Sequence, residues 1–105
     1  MREEGSATRQ TAERHLESLG AVPQIALELG SNEAVKQAAA AGGGIGVVSR
    51  LGIAAEVMAG MLTVLEVKGW NCRRPLTLIY PKNRYLSPAQ RAFREFLIDR
   101  RPTAI

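Results

Sequence analysis

Of the residues that build disulfides, metal cages and nucleophilic sites, this chain of 105 residues has very few. Its single cysteine, Cys72, excludes an internal disulfide and a cysteine-built metal site, and one lone thiol fits a reducing cytosol. Cys72 lies beside Arg73 and Arg74, which favour a thiolate; a spectator thiol is the better reading. His15 is the only histidine, so a metal would depend on scattered carboxylates, and no cofactor is expected. Aromatic residues are only 5% of the chain, which leaves little for base stacking. No apolar run approaches the roughly 18 residues of a spanning helix, so no membrane partner is expected. The opening Met1-Arg2-Glu3-Glu4 carries acids where an export signal would carry an apolar core. No nucleophile–base pair and no phosphate loop ending in Gly-Lys-Ser/Thr is present, which weighs against an enzyme.

What is there is an ordinary globular composition, 46% hydrophobic and 23% charged. The net charge of +4 is unevenly spread. Residues 1–67 hold five basic side chains (Arg2, Arg9, Arg14, Lys36, Arg50) against eight acidic ones. Residues 68–105 hold nine basic side chains, with only Glu95 and Asp99 as acids. A solvated basic face on the last helix explains this without a ligand; a nucleic-acid patch is the sharper reading, unaccompanied by any recognition motif.

Helical and extended signals alternate. Ala12, Leu16 and Leu19 fall on one face and predict a helix over Thr8–Leu19, ended by Gly20, with His15 at its boundary. Ile25–Leu29 reads as a strand. Ser31 caps a second helix, which stops at Gly42-Gly43-Gly44. Ile45–Val48 reads as a buried strand. Ser49 caps a third helix through Leu51, Ala54, Ala55, Val57 and Met58, ended by Gly60. Leu62–Val67 and Leu76–Tyr80 read as strands, around a loop from Gly69 to Pro75 in which Trp70 is a packing anchor. Ser87-Pro88-Ala89-Gln90 combines a capping serine, a first-turn proline and a capping-box glutamine. The helix it opens is expected to bury Ala89, Phe93, Phe96 and Leu97, with Pro102 just past its end. The alternation predicts an α/β fold with a largely parallel sheet flanked by helices.

The glycine cluster does not make a dinucleotide site. Such a fingerprint needs a strand before the glycines and a helix after them, and here the order is reversed, with Val47 where the third glycine belongs. The starts of the first two helices are more informative. Free amides at a helix start favour an anion, and Ser6, Thr8 and Arg9 add donors at the first, Ser31 and Asn32 at the second. An ordinary cap with Arg9 in solvent explains the first start equally well. In α/β sheets, helix starts that follow strand ends line one crevice. Two hydroxyl-rich starts imply a small polar or anionic ligand.

The run Arg2-Glu3-Glu4-Gly5-Ser6-Ala7-Thr8-Arg9 resembles the Arg-Glu-x-Gly-Ser-Gly-Thr-Arg segment of LysR-type effector domains. Glu28 to Ala38, followed by Ala41-Gly42-Gly43-Gly44-Ile45-Gly46-Val47-Val48-Ser49, resembles the most recognisable pattern of those domains. Arg74-Pro75-Leu76, Tyr80, Lys82, Arg84, Leu86-Ser87-Pro88-Ala89 and Phe93-Phe96-Leu97 resemble their C-terminal end. Gly43 departs from the pattern, where a leucine is usual, and Ala7 stands where a glycine is common.

The resemblance implies a fold like type 2 periplasmic binding proteins, with two α/β lobes around a cleft. Residues 1–80 would belong to the second lobe, with a crossover near 68–80, and residues 81–105 would return a helix to the first. It implies a cytoplasmic ligand-sensing domain of a transcriptional regulator, whose effector, polar or anionic by the chemistry of the two helix starts, would sit at Ser6, Thr8, Arg9, Ser31 and Asn32. DNA would be read only by an N-terminal domain absent from this sequence. It also implies a homo-oligomer, formed through the first helix and the following strand, with Glu13, Glu17, Ile25, Leu27 and Leu29 at the interface. The main rival is a solute-binding protein of the transport class, which shares the fold.

Overall fold

A computed structural model describes residues 1–100. The chain divides into two compact units, Met1–Arg73 and Arg74–Ile105. In the first unit, α1 spans Ala7–Ser18, α2 spans Asn32–Ala40 and α3 spans Ala54–Met58, with a 3-10 turn at Arg50–Gly52; in the second, α4 spans Pro88–Asp99.

Each helix begins and ends for local reasons. Ser6 caps α1 by accepting from the Arg9 amide, and Ser31 caps α2 by accepting from Ala34. At the end of α2, Gly42 takes a φ of +86°, a left-handed conformation that costs glycine nothing. Its amide then donates to Ala39 O at 3.0 Å, and the Gly43 amide donates to Ala38 O at 2.8 Å. These two bonds satisfy carbonyls the helix would otherwise leave open. Gly20 after α1 and Gly60 after α3 close their helices with the same pair of bonds. A Cβ at Gly43 would meet Ala38 O at 2.8 Å, so a leucine there would force this turn to open.

Two expectations about helices need correction. The third helix is not continuous: Ser49 caps only the 3-10 turn, and α3 starts afresh after Ile53. Gly52, a poor helix former, sits at the break. In α4 the capping box is present, with Ser87 N donating to Gln90 Oε1 at 2.9 Å and Gln90 N to Ser87 Oγ at 3.2 Å. Its apolar face is not buried, however; Phe93 is 61% exposed and Phe96 50%. Among the described residues of the second unit, only the extended stretch before α4 is available to cover that face. Pro102 lies outside the described residues.

The expected parallel sheet does not form among the described residues. Ile25–Leu29, Ile45–Val48, Leu62–Val67 and Leu76–Tyr80 do not assemble into strands. A strand, unlike a helix, takes its backbone hydrogen bonds from another segment, and among the described residues only the first of these four finds an extended partner, at Leu29. What does form is one parallel pairing of Arg2 with Leu29. Leu29 N donates to Met1 O and Glu3 N to Leu29 O, both at 3.0 Å, and the Met1 nitrogen reaches Leu27 O at 3.1 Å.

The core is small. Ala12 of α1 and Val35 of α2 are its buried apolar residues. Val35 faces Gly46, where a Cβ would stand 3.1 Å from Val35 Cγ1 and 3.3 Å from Ala39 Cβ. Lys36 clamps α2 to the 3-10 turn and to α3. Its ammonium donates to Gly52 O at 3.0 Å and pairs with Glu56 at 2.7 Å and, within α2, with Glu33 at 2.9 Å. His15 and Trp70 fix the loop to the end of α1. The rings meet edge to face at 4.9 Å, and the Asn71 amide donates to His15 Nε2 at 3.0 Å. Trp70 is thus an anchor of its loop, as expected, and Cys72 beside it is half-buried.

Candidate functional site

The direction of the Arg2–Leu29 pairing decides where the two helix starts lie. In a parallel pair both segments run the same way. After Arg2 the chain turns at Glu4-Gly5, where Ser6 N donates to Glu3 O at 3.3 Å and Gly5 has a φ of +87°, and enters α1. After Leu29 it passes Gly30 and enters α2. Both helices therefore open beyond the same end of the pairing, although the sheet around it is not formed.

Arg2 ties this end together. Its guanidinium donates to both Glu3 oxygens at 2.9 Å and, through Nη1, to Asn32 Oδ1 at 2.9 Å. The Arg2 guanidinium holds the Glu3 carboxyl down from its ordinary 4.5 to about 2, and Glu3 in turn raises Arg2. The first segment of the chain is thereby bonded to the first residue of α2.

Ser6 is buried and Thr8 half-buried, while Ser31 and Asn32 are exposed. Ser6 Oγ accepts from Arg9 N at 3.4 Å and Ser31 Oγ from Ala34 N at 3.0 Å. A capping hydroxyl uses its oxygen as acceptor and keeps its proton free to donate to a bound anion. Asn32 has its side-chain oxygen on Arg2, which leaves its NH2 group as donor.

Arg9 stands apart from that set. Its side chain is only 11% exposed, so the picture of an arginine in solvent does not hold. Nε donates to Glu13 at 2.7 Å, and Nη1 lies 3.1 Å from both Glu28 Oε2 and Arg2 O. Glu13 and Glu28 raise the Arg9 guanidinium, Glu13 the more, and offset its charge. Arg9 binds α1 back onto the paired segments. Sequence reasoning missed both Arg2 as the cross-link and Glu28 as a partner of Arg9. No local pattern signals contacts 30 and 19 residues away (32 − 2 and 28 − 9).

Of the residues expected at an interface between copies, Glu13 and Glu17 flank a shallow open depression with Gln10 and Arg14. Glu13 is already paired with Arg9. Ile25 and Leu27 are exposed, at 36% and 46%, and Leu29 is half-buried in the pairing. Among the described residues, no helix is long and apolar enough to cross a membrane.

Comparison with known proteins places these features in a family context. The family model described as LysR substrate binding domain matches residues 1–102. The chain is 43% identical over 97 residues to a RuBisCO operon transcriptional regulator of Acidithiobacillus ferrooxidans, covering 92% of this chain and 31% of that protein. It is 44% identical over 99 residues to a RuBisCO operon transcriptional regulator of Allochromatium vinosum, covering 94% and 33%. It is 36% identical over 97 residues to the HTH-type transcriptional activator CmpR of Synechocystis sp., covering 92% and 32%. The chain thus spans about a third of the length of the curated relatives it matches. No solved structure matches it.

Proposed function

The chain belongs to the LysR substrate-binding-domain family, and from that membership we propose that it is the ligand-sensing part of a LysR-type transcriptional regulator. Membership implies a periplasmic-binding-protein-like fold. In this reading residues 1–80 contribute to one lobe and residues 81–105 return to the other. The domain acts by binding, without catalysing a reaction. A small anionic metabolite bridges the lobes and shifts their relative orientation, and that shift changes how a homo-oligomer sits on promoter DNA. DNA is read by a part of the regulator outside this sequence, in the cytoplasm. Two relatives are named as regulators of a RuBisCO operon, and we extend that target to this protein. The transport-class reading gains no support from the matching relatives.

The observation that carries the ligand site is the parallel Arg2–Leu29 pairing, which brings the starts of α1 and α2 to one end. The site is Ser6, Thr8, Ser31 and Asn32. Arg9 joins it only by giving up Glu13 or Glu28. The copies of the chain meet through Glu17, Ile25, Leu27 and Leu29, with Glu13 at the margin.

In the full-length regulator, a panel of phosphorylated and carboxylated metabolites screened by thermal shift identifies binders. Ser6→Ala and Ser31→Ala should each weaken the shift. A cocrystal with its ligand far from both helix starts refutes the site. Unchanged RuBisCO transcript levels after deletion of the gene refute the target.

A further inference from the structure

The second unit carries a concentration of positive charge that the effector site does not use. From Tyr80 to Arg94 the sequence holds Lys82, Arg84, Arg91 and Arg94 and no acidic residue. All five ion pairs among the described residues lie in the first unit. Among the described residues, Glu95 and Asp99 of α4 make none.

Two of these arginines lie over exposed tyrosine rings. The Arg94 guanidinium is 5.0 Å from the centre of Tyr80, and that of Arg91 is 5.8 Å from the centre of Tyr85. Tyr80 is 51% exposed and Tyr85 79%. A ring holds a guanidinium in place without neutralising it, whereas a carboxylate does both. Arg91 and Arg94 are therefore oriented, and no ion pair among the described residues offsets them.

This face is also separate from the apolar one. At 100° per residue, Arg91 projects from the side of α4 opposite Ala89, Phe93 and Phe96, and Arg94 lies at the margin of the apolar face, one turn before Leu97. An element that covers the phenylalanines leaves the arginines outside.

We propose that Arg91 and Arg94, with Lys82 and Arg84 in the preceding turn, form a surface that contacts the phosphate backbone of duplex DNA without reading its sequence. The proposal rests on the reading of this chain as part of a DNA-bound regulator. In such a protein a long polyanion is already held close by. Duplex DNA carries about one charge per ~1.7 Å of axis, and a cluster of unpaired cations lowers its free energy by releasing counterions. Arginine and tyrosine both serve as phosphate donors.

The test uses the full-length regulator and a promoter duplex, with affinity measured over a range of salt. Each lost phosphate contact reduces the slope of log affinity against log salt by about 0.9. R91Q/R94Q should therefore lower it by about 1.8, so that raising salt from ~50 to ~200 mM costs roughly tenfold less affinity than in the parent. A non-promoter duplex should give the same change. R91K/R94K should keep the parental slope. K82Q/R84Q lies outside the helix and leaves α4 intact, so its lower slope is independent of any effect on folding. A parental slope in both glutamine variants, as expected if the face serves an acidic protein instead, overturns the proposal. Failure of the parent to bind any promoter overturns the regulator reading itself.

Discussion

Packing between α2 and the segment after it makes a sharp prediction, because a void and a clash fall at the same point. Val35 is 2% exposed, and Val35→Ala removes two methyl groups from the small core. At about 0.8 kcal/mol per carbon, plus a cavity term, that costs roughly 2 kcal/mol. Gly46→Ala does the reverse. Its new methyl would stand 3.1 Å from Val35 Cγ1 and 3.3 Å from Ala39 Cβ, tighter than normal contact. Gly46 does not have a left-handed φ, so alanine is conformationally acceptable there. Overpacking of about 1–2 kcal/mol is then offset in part by the roughly 0.4–1 kcal/mol that alanine gains over glycine in the unfolded chain. Added independently, the two changes cost about 2–3 kcal/mol. Together they should cost only about 1 kcal/mol, because the Gly46→Ala methyl occupies space Val35 has vacated. Hydrogen exchange of the α2 amides in the intact protein measures this, each tenfold change in protection corresponding to about 1.4 kcal/mol. Additivity within about 0.5 kcal/mol would show that Val35 and Gly46 are not packed together, and would refute the reasoning.

Three further outcomes rest on the same geometry. Replacing both Ser87 and Gln90 by alanine should cost α4 about 1 kcal/mol or more, read as faster exchange in its first turn, because both arms of the capping box are lost. Glu3 has a depressed folded-state pKa, so its contribution to stability is present above the ordinary 4.5 and is lost as pH falls through about 2. Unfolding midpoints followed over that acid range should fall, and Glu3→Gln should flatten the lower end; an unchanged profile in the variant would contradict the Arg2–Glu3 pairing. Residues 1–105 alone should not distinguish promoter from scrambled duplex in a competition assay, and any sequence-selective binding would place a reading element in this chain.

Local signals carried most of what was legible in the sequence. Ser6, Ser31 and Ser87 each cap a helix because a hydroxyl three residues before a free amide can hardly do otherwise. Gly20, Gly42 and Gly60 end helices because they tolerate a positive φ. These are decisions made within about four residues, and sequence alone settles them. The third helix misled because its apolar spacing outweighed the break at Gly52. Apolar, β-branched runs such as Ile45–Val48 read as strands, but pairing is a property of two segments, and composition describes only one. The same limit applied at the candidate site. The serines at the helix starts could be named in advance. That Arg9 is taken by Glu13 and Glu28, and that Arg2 reaches Asn32, depended on the parallel pairing of Arg2 with Leu29. Tertiary structure decided those contacts because they join residues far apart along the chain, where only the fold sets distance.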